Sequence, residues 1–188
     1  MSPKPVIIEE YNPEWPKKFL EIKTILEHTL GNDALRIEHV GSTSIPGLAA
    51  KPVLDIDVVI DSMKSLPNVI AKLETLGYYH QGNLGVEGRE AFGRKDDYVP
   101  YSDGLELKPA QHVYVCDQES RELHRHIVFR DALLHNPEWV VEYAILKKEL
   151  STVFRQDREG YTVGKSDFVN RVLKLSGGQG HPNKNTVQ

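Results

Sequence analysis

The segment Leu54-Asp55-Ile56-Asp57-Val58-Val59-Ile60 admits few structures. It is dominated by Leu, Ile and Val, so it reads as a core strand. Side chains alternate along a strand, so Asp55 and Asp57 share one face while Leu54, Ile56, Val58 and Ile60 share the other. Two carboxylates on one face repel each other unless something positive lies between them. A divalent cation is the usual solution, and hard oxygen ligands suit Mg²⁺ (or Mn²⁺). The competing reading is a solvated strand face.

The stretch before this strand, Gly41-Ser42-Thr43-Ser44-Ile45-Pro46-Gly47, is a turn of small residues. Glycine lets backbone approach a ligand, and successive N–H groups in a turn make a nest for an anion. A plain tight turn would use the same residues. Their position just ahead of an Asp-x-Asp strand favours phosphate. Lys51 lies between the two features, placed to contact phosphate or to pair with a carboxylate.

The remaining chain reads as a mixed α/β (α+β) domain. Val6-Ile7-Ile8 is an edge strand or a lead-in. Asn12-Pro13-Glu14-Trp15 opens a helix that runs to Leu30, with Gly31-Asn32 as its stop. Strands are expected over residues 35–40, 54–60, 91–95 and 111–116, with a strand or extended piece starting at Tyr78-Tyr79. A helix from Met63 to Leu76 lies among them, and residues 81–90 form a loop. From about residue 119 the period becomes helical. One helix ends at Asn136-Pro137, a second buries Trp139, Tyr143, Leu146, Leu150 and Phe154, and a last one is capped by Ser166. Tyr161 to Lys165 is expected to be a connector. Residues 1–175 form one domain with one core and a helical extension, and 176–188 a disordered tail.

Composition narrows the function. The net charge of −4 argues against a nucleic-acid coat protein. The single cysteine, Cys116, excludes a disulfide framework or cysteine zinc cluster and fits a cytoplasmic setting. No signal pattern or membrane-length apolar run is present.

The Gly-Ser turn with an Asp-x-Asp strand 13 positions on resembles the signature of the nucleotidyltransferase superfamily, the polymerase-beta-like fold. The resemblance extends further. Residues 38–52, the strand at His112, Phe129-Arg130-Asp131 and residues 143–150 look like the GrpB family, over roughly residues 5 to 175. That family has the nucleotidyltransferase fold and is sometimes fused to dephospho-CoA kinase. The resemblance implies a nucleotidyltransferase-like mixed sheet flanked by helices. It implies that Gly41, Ser42 and Thr43 hold a nucleoside triphosphate and that Asp55 and Asp57 bind magnesium.

This chain departs from the pattern in two places. Tyr114 stands where family members tend to carry the second histidine of His-x-His. The third carboxylate of polymerase-like enzymes has no clear counterpart. Glu106 and Asp117 are candidates, and His112 can serve as ligand or base. Arg94, Arg125 and Arg130 are the expected phosphate contacts. For Arg130 an ion pair with Asp131 that fixes helix packing competes with that role. His39 either orients a ligand or is structural. The expected function is transfer of a nucleotidyl group from a nucleoside triphosphate to a small-molecule acceptor. A fold that binds a nucleotide or anionic metabolite without catalysis is the alternative. Neither a membrane nor a nucleic acid is the expected partner.

Overall fold

A computed structural model describes residues 5–104 and 106–177. The tail expected to be disordered therefore lies, from residue 178 on, outside the described residues.

Helix α1 (Glu14–Leu30) comes first, its opening N–H bonded to Asn12 Oδ1 at 2.9 Å. Strands β1 (Arg36–Val40) and β2 (Leu54–Ile60) follow, joined through a short 3-10 turn at Ser42–Ser44. Helix α2 (Leu66–Thr75), β3 (Tyr78–Gly82) and β4 (Glu90–Arg94) form a long crossover to β5 (Gln111–Asp117). The chain ends in α3 (Arg121–His135), α4 (Pro137–Val153), α5 (Arg158–Gly164) and α6 (Ser166–Leu175). The leading apolar residues are a lead-in: Val6 N–H bonds Arg155 O, and Glu9 bridges Ala50.

The five strands form one mixed sheet in the order β1-β2-β5-β4-β3. Only β2 and β5 run parallel, which places Asp55 beside His112 and Asp57 beside Tyr114. β1 runs antiparallel to β2, with Val40 opposite Asp55 and Glu38 opposite Asp57. The fold is thus α/β, a five-stranded mixed sheet flanked by helices, as expected.

Alternation decides the two sides of the sheet. Ile37, Leu54, Ile56, Val58, Ile60, Phe92, Val113 and Val115 pack against the apolar stripes of α1 (Trp15, Phe19, Ile22, Leu26, Leu30) and α2 (Val69, Leu73). That is the main core. The other face carries the aspartates and is covered by α3, where Leu123 and Ile127 pack on Val59 and Cys116. The expected single core is joined by a further apolar cluster. Ile45 and Leu48 from the turn region pack with Leu133, Tyr143, Phe168 and Val172, because the C-terminal helices fold back onto the turn. No helix among the described residues is long and apolar enough to cross a membrane.

The expected connector at Tyr161–Lys165 differs. Residues from Arg158 form α5, because Asp157 Oδ1 accepts the Gly160 N–H at 2.9 Å and Tyr161 is buried. α6 follows at once, so Ser166 lies inside it and Lys165 takes the cap position.

Candidate functional site

Gly41 is the pivot. Its φ is +69°, in the region glycine favours, and a Cβ there would overlap the Asp55 carboxylate at Oδ2. The turn backbone therefore lies directly against Asp55. Ser44 Oγ donates to Gly41 O at 2.6 Å. Buried Thr43 bonds His39 Nε2 at 3.0 Å and donates to Val53 O at 3.3 Å. His39 itself stacks on Phe19, ring centroids 4.6 Å apart, on the core face. Burial, with the Arg130 charge adding, pushes it down to about 4, so it stays neutral and braces the turn.

The two aspartates differ sharply. Asp55 is partly exposed, and its Oδ1 bonds His112 Nδ1 at 2.9 Å; the His112 ring is half-exposed. Asp57 is wholly buried. Its Oδ2 bonds His126 Nδ1 at 2.7 Å, while its Oδ1 has no hydrogen-bond partner among the described residues. Burial opposes charge on His126, but the Asp57 hydrogen bond and charge outweigh it, and the imidazole is raised. Glu122 Oε2 lies 4.0 Å from His126 Nε2.

No candidate third acid joins the pair. Asp117 lies opposite Ile60 at the far end of β5. Glu106 is exposed and 3.8 Å from Lys108. The acid on the aspartates' own face is Glu38, which sequence reading missed. Its carboxylate is engaged by Arg130 at 2.8 Å and Arg36 at 3.2 Å. The signal was there: Glu38 alternates with buried Ile37 in a strand one turn away from β2.

Among the described residues no group of three or more His, Cys, Asp and Glu side chains is placed to hold a metal ion. The chemistry of the donors still fits one. A buried carboxylate oxygen without a partner, beside a second carboxylate, is a two-point grip for a hard cation whose remaining ligands come with the substrate.

The arginines are committed elsewhere. Arg130 binds Glu38, Asp131 (2.8 Å) and the His39 carbonyl (3.1 Å), so the ion-pair reading describes its contacts. Arg125 lies 3.2 Å from Glu122. Arg94 falls on the sheet face opposite the aspartates. There it donates to the carbonyls of Val99, Lys108 and Pro109 and to Asp97, and so holds the 96–109 connection.

The cations gathered at the turn are lysines. Lys147 of α4 is 2% exposed, donates to Ser42 Oγ at 2.9 Å and lies 4.6 Å from the Tyr143 ring centroid. Lys51 and Lys165 both approach the Tyr161 ring, at 4.2 and 4.6 Å. Among the described residues none of the three forms an ion pair with a carboxylate. Burial first, then Lys165, pushes Lys147 down to about 7. Burial first, then Lys51, pushes Lys165 down to about 8. Burial first, then Arg158, lowers Lys51. Lys147 was legible in part, since it follows buried Tyr143 by four residues on one helix face.

A family model described as GrpB protein matches residues 5–175. The chain belongs to the GrpB family. It is 32% identical over 169 residues to the glutamate-rich protein GrpB of Alkalihalophilus pseudofirmus, covering 89% of this chain and 94% of that one. It is 31% identical over 159 residues to the UPF0157 protein YqkA of Bacillus subtilis, covering 85% of this chain but spanning only 43% of YqkA. The crystal structure of conserved protein GrpB from Enterococcus faecalis superposes with a TM-score of 0.76 at 30% identity, covering 90% of this chain and 96% of that one. The Cid1 poly(U) polymerase in complex with the UTP analog UMPNPP aligns at TM-score 0.41 and 13% identity, over 85% of this chain and 49% of that one, a likeness too distant to argue from.

In this GrpB protein the close approach of Gly41 to Asp55 is directly testable. Gly41→Ala must relieve both a positive φ and an overlap with a carboxylate. The expected loss is about 2 kcal/mol, roughly 4–8 °C in Tm, read by thermal denaturation. An unchanged Tm would mean that the turn does not press on Asp55.

Proposed function

We propose that this GrpB protein is a metal-dependent nucleotidyltransferase that moves a nucleotidyl group from a nucleoside triphosphate to a small-molecule acceptor. One observation carries the reading: three lysines that form no carboxylate ion pair among the described residues gather within the field of Asp55, Lys147 bonding Ser42 and Lys51 and Lys165 flanking Tyr161, beside a buried Asp57 oxygen with no hydrogen-bond partner there. Buried cations lacking counter-charges are expensive unless a ligand brings anions.

The Gly41–Thr43 turn and Lys51, Lys147 and Lys165 receive the β- and γ-phosphates. Asp55 and Asp57 are the residues to hold Mg²⁺ or Mn²⁺, which when bound neutralises phosphate charge and aligns the reactive phosphorus. An acceptor hydroxyl or amine attacks the α-phosphorus, and the bond from the α-phosphorus to the bridging oxygen breaks. Pyrophosphate leaves toward the lysines. His112, half-exposed and oriented by Asp55, takes the acceptor's proton. Arg130, bonded to Glu38 and the His39 carbonyl of β1, acts by holding α3, and with it His126, over the acids, while Arg125 pairs with Glu122 within α3. A cytoplasmic setting, where nucleoside triphosphates are abundant, belongs to the same reading.

A second reading is favoured by one feature. Imidazoles already occupy an oxygen on each aspartate. A family member that binds an anionic nucleotide without turning it over would look like this. Labelled nucleotides, Mg²⁺ and a metabolite pool separate the two. Pyrophosphate release supports transfer. Nucleotide binding without pyrophosphate, insensitive to the double change Asp55→Ala and Asp57→Ala, supports the binding module instead.

A further inference from the structure

Two buried polar side-chain atoms lack a hydrogen-bond partner among the described residues: Asp57 Oδ1 and Arg89 Nε. Both adjoin Tyr114. Asp57 is its register partner on β2, and the Arg89 guanidinium carbon lies 4.2 Å above its ring centroid. Arg89 is also the nearby charge that opposes the upward push of burial on the Tyr114 hydroxyl. Among the described residues it forms no ion pair with a carboxylate.

Arg89 is held, not loose. It ends the β3–β4 connection, and Ala91 two residues on pairs with Tyr114 in the sheet. Gly88 just before it packs near Ser120 Oγ at the start of α3. A guanidinium resting on an aromatic ring is held in place and loses little entropy when its N–H fork binds an oxyanion. A buried N–H without an acceptor is costly, and that cost is recovered when a ligand supplies an oxygen.

Position sets which ligand group this is. The lysines reach the acid pair from the turn after β1 and from the C-terminal helices. Arg89 comes from the β4–β5 side, over Tyr114, the register neighbour of Asp57. Tyr114 lies between, its ring 6.4 Å from His112 and 6.3 Å from His126. Attacking and leaving groups stand on opposite sides of a phosphorus in displacement. With pyrophosphate leaving toward the lysines, the attacking molecule enters from the side of Arg89 and the half-exposed His112.

We infer that Arg89 binds an oxyanion on the acceptor, so that the acceptor is a small carboxylate or phosphate ester. This rests on the transferase reading for the word acceptor, but the oxyanion site itself can be tested separately. The full chain is saturated with Mg²⁺ and a non-hydrolysable ATP analogue, then titrated calorimetrically with inorganic phosphate and with malonate. One of the two probes is expected to bind, which distinguishes phosphate from carboxylate. Arg89→Met is expected to weaken that probe about tenfold while nucleotide affinity stays within about twofold. Arg89→Lys, which keeps charge without the planar fork, is expected to restore part of it, and melting curves show that both variants fold. Probe binding that survives Arg89→Met, absence of probe binding to the saturated wild type, or nucleotide affinity falling in step overturns the assignment. A 3′-phosphorylated RNA oligomer that binds through Arg89 while both probes fail overturns the small-molecule class. If the nucleotide analogue itself does not bind, the transferase reading falls. The same titrations on nucleotide-free Lys147→Met protein, with and without Arg89→Met, then decide the oxyanion site.

Discussion

Asp57→Ala is expected to lower pyrophosphate release about a thousandfold while the protein stays folded, an effect of about 4 kcal/mol on the barrier. The loss falls on kcat, because the carboxylate acts on charge that develops as the α-phosphorus transfers. Stability responds differently. Asp57 is completely buried, with one oxygen bonded to His126 and the other without a hydrogen-bond partner among the described residues. Truncation removes an expensive buried charge and leaves His126, whose raised pKa depends on Asp57, free to become neutral. These effects oppose each other, and Tm is expected to move little. Steady-state pyrophosphate release alongside thermal melts checks both. Retained turnover, or a rate loss that merely follows unfolding, would sink the role given to Asp57.

Lys147→Met is expected to act in opposite directions on binding and on stability. Lys147 is pushed down to about 7 from an ordinary 10.5, chiefly by burial and then by Lys165, with Asp55 opposing. Tyr143 and Ser42 are its other polar neighbours. Between pH 7 and 10.5 the unfolded chain holds this proton and the folded one releases it. More protons are bound in the unfolded state, so this group makes stability rise with pH across that window. Below pH 7 the whole burial cost is present. The variant is therefore expected to melt higher than wild type near pH 6–7, with the gap closing toward pH 10. Lys165, pushed down to about 8, adds the same sign over a narrower range and remains in both proteins.

Binding runs the other way. A triphosphate favours the charged amine, so wild-type affinity falls as pH rises above 7, with proton uptake on binding near pH 8. Lys147→Met loses most of that dependence and about a hundredfold in affinity at pH 7, for a charge-assisted contact of about 3 kcal/mol. Calorimetry in buffers of different ionisation enthalpy reads the proton, and melts across pH read the stability. A variant less stable than wild type at pH 6, or an affinity independent of both pH and Lys147, would show that this lysine is not waiting for an anion.

Much of the framework was legible because it depends on neighbours in the chain. Period-two alternation in residues 54–60 placed Asp55 and Asp57 together on one face, and glycines marked the turn beside them. Helical spacing from about residue 119 announced α3 and α4. Charge roles were another matter. An arginine and a lysine look alike in a sequence until their partners are known, and those partners are far away. Arg130 finds Glu38 at 92 residues' separation, and Lys147 finds Ser42 at 105. The sequence by itself determined the acid pair, the turn and the strand that joins them, since local sterics and hydrophobic alternation suffice for these. The tertiary structure alone decided which cations are neutralised and which are buried without a counter-charge, because desolvation and ion pairing arise only when distant segments pack together.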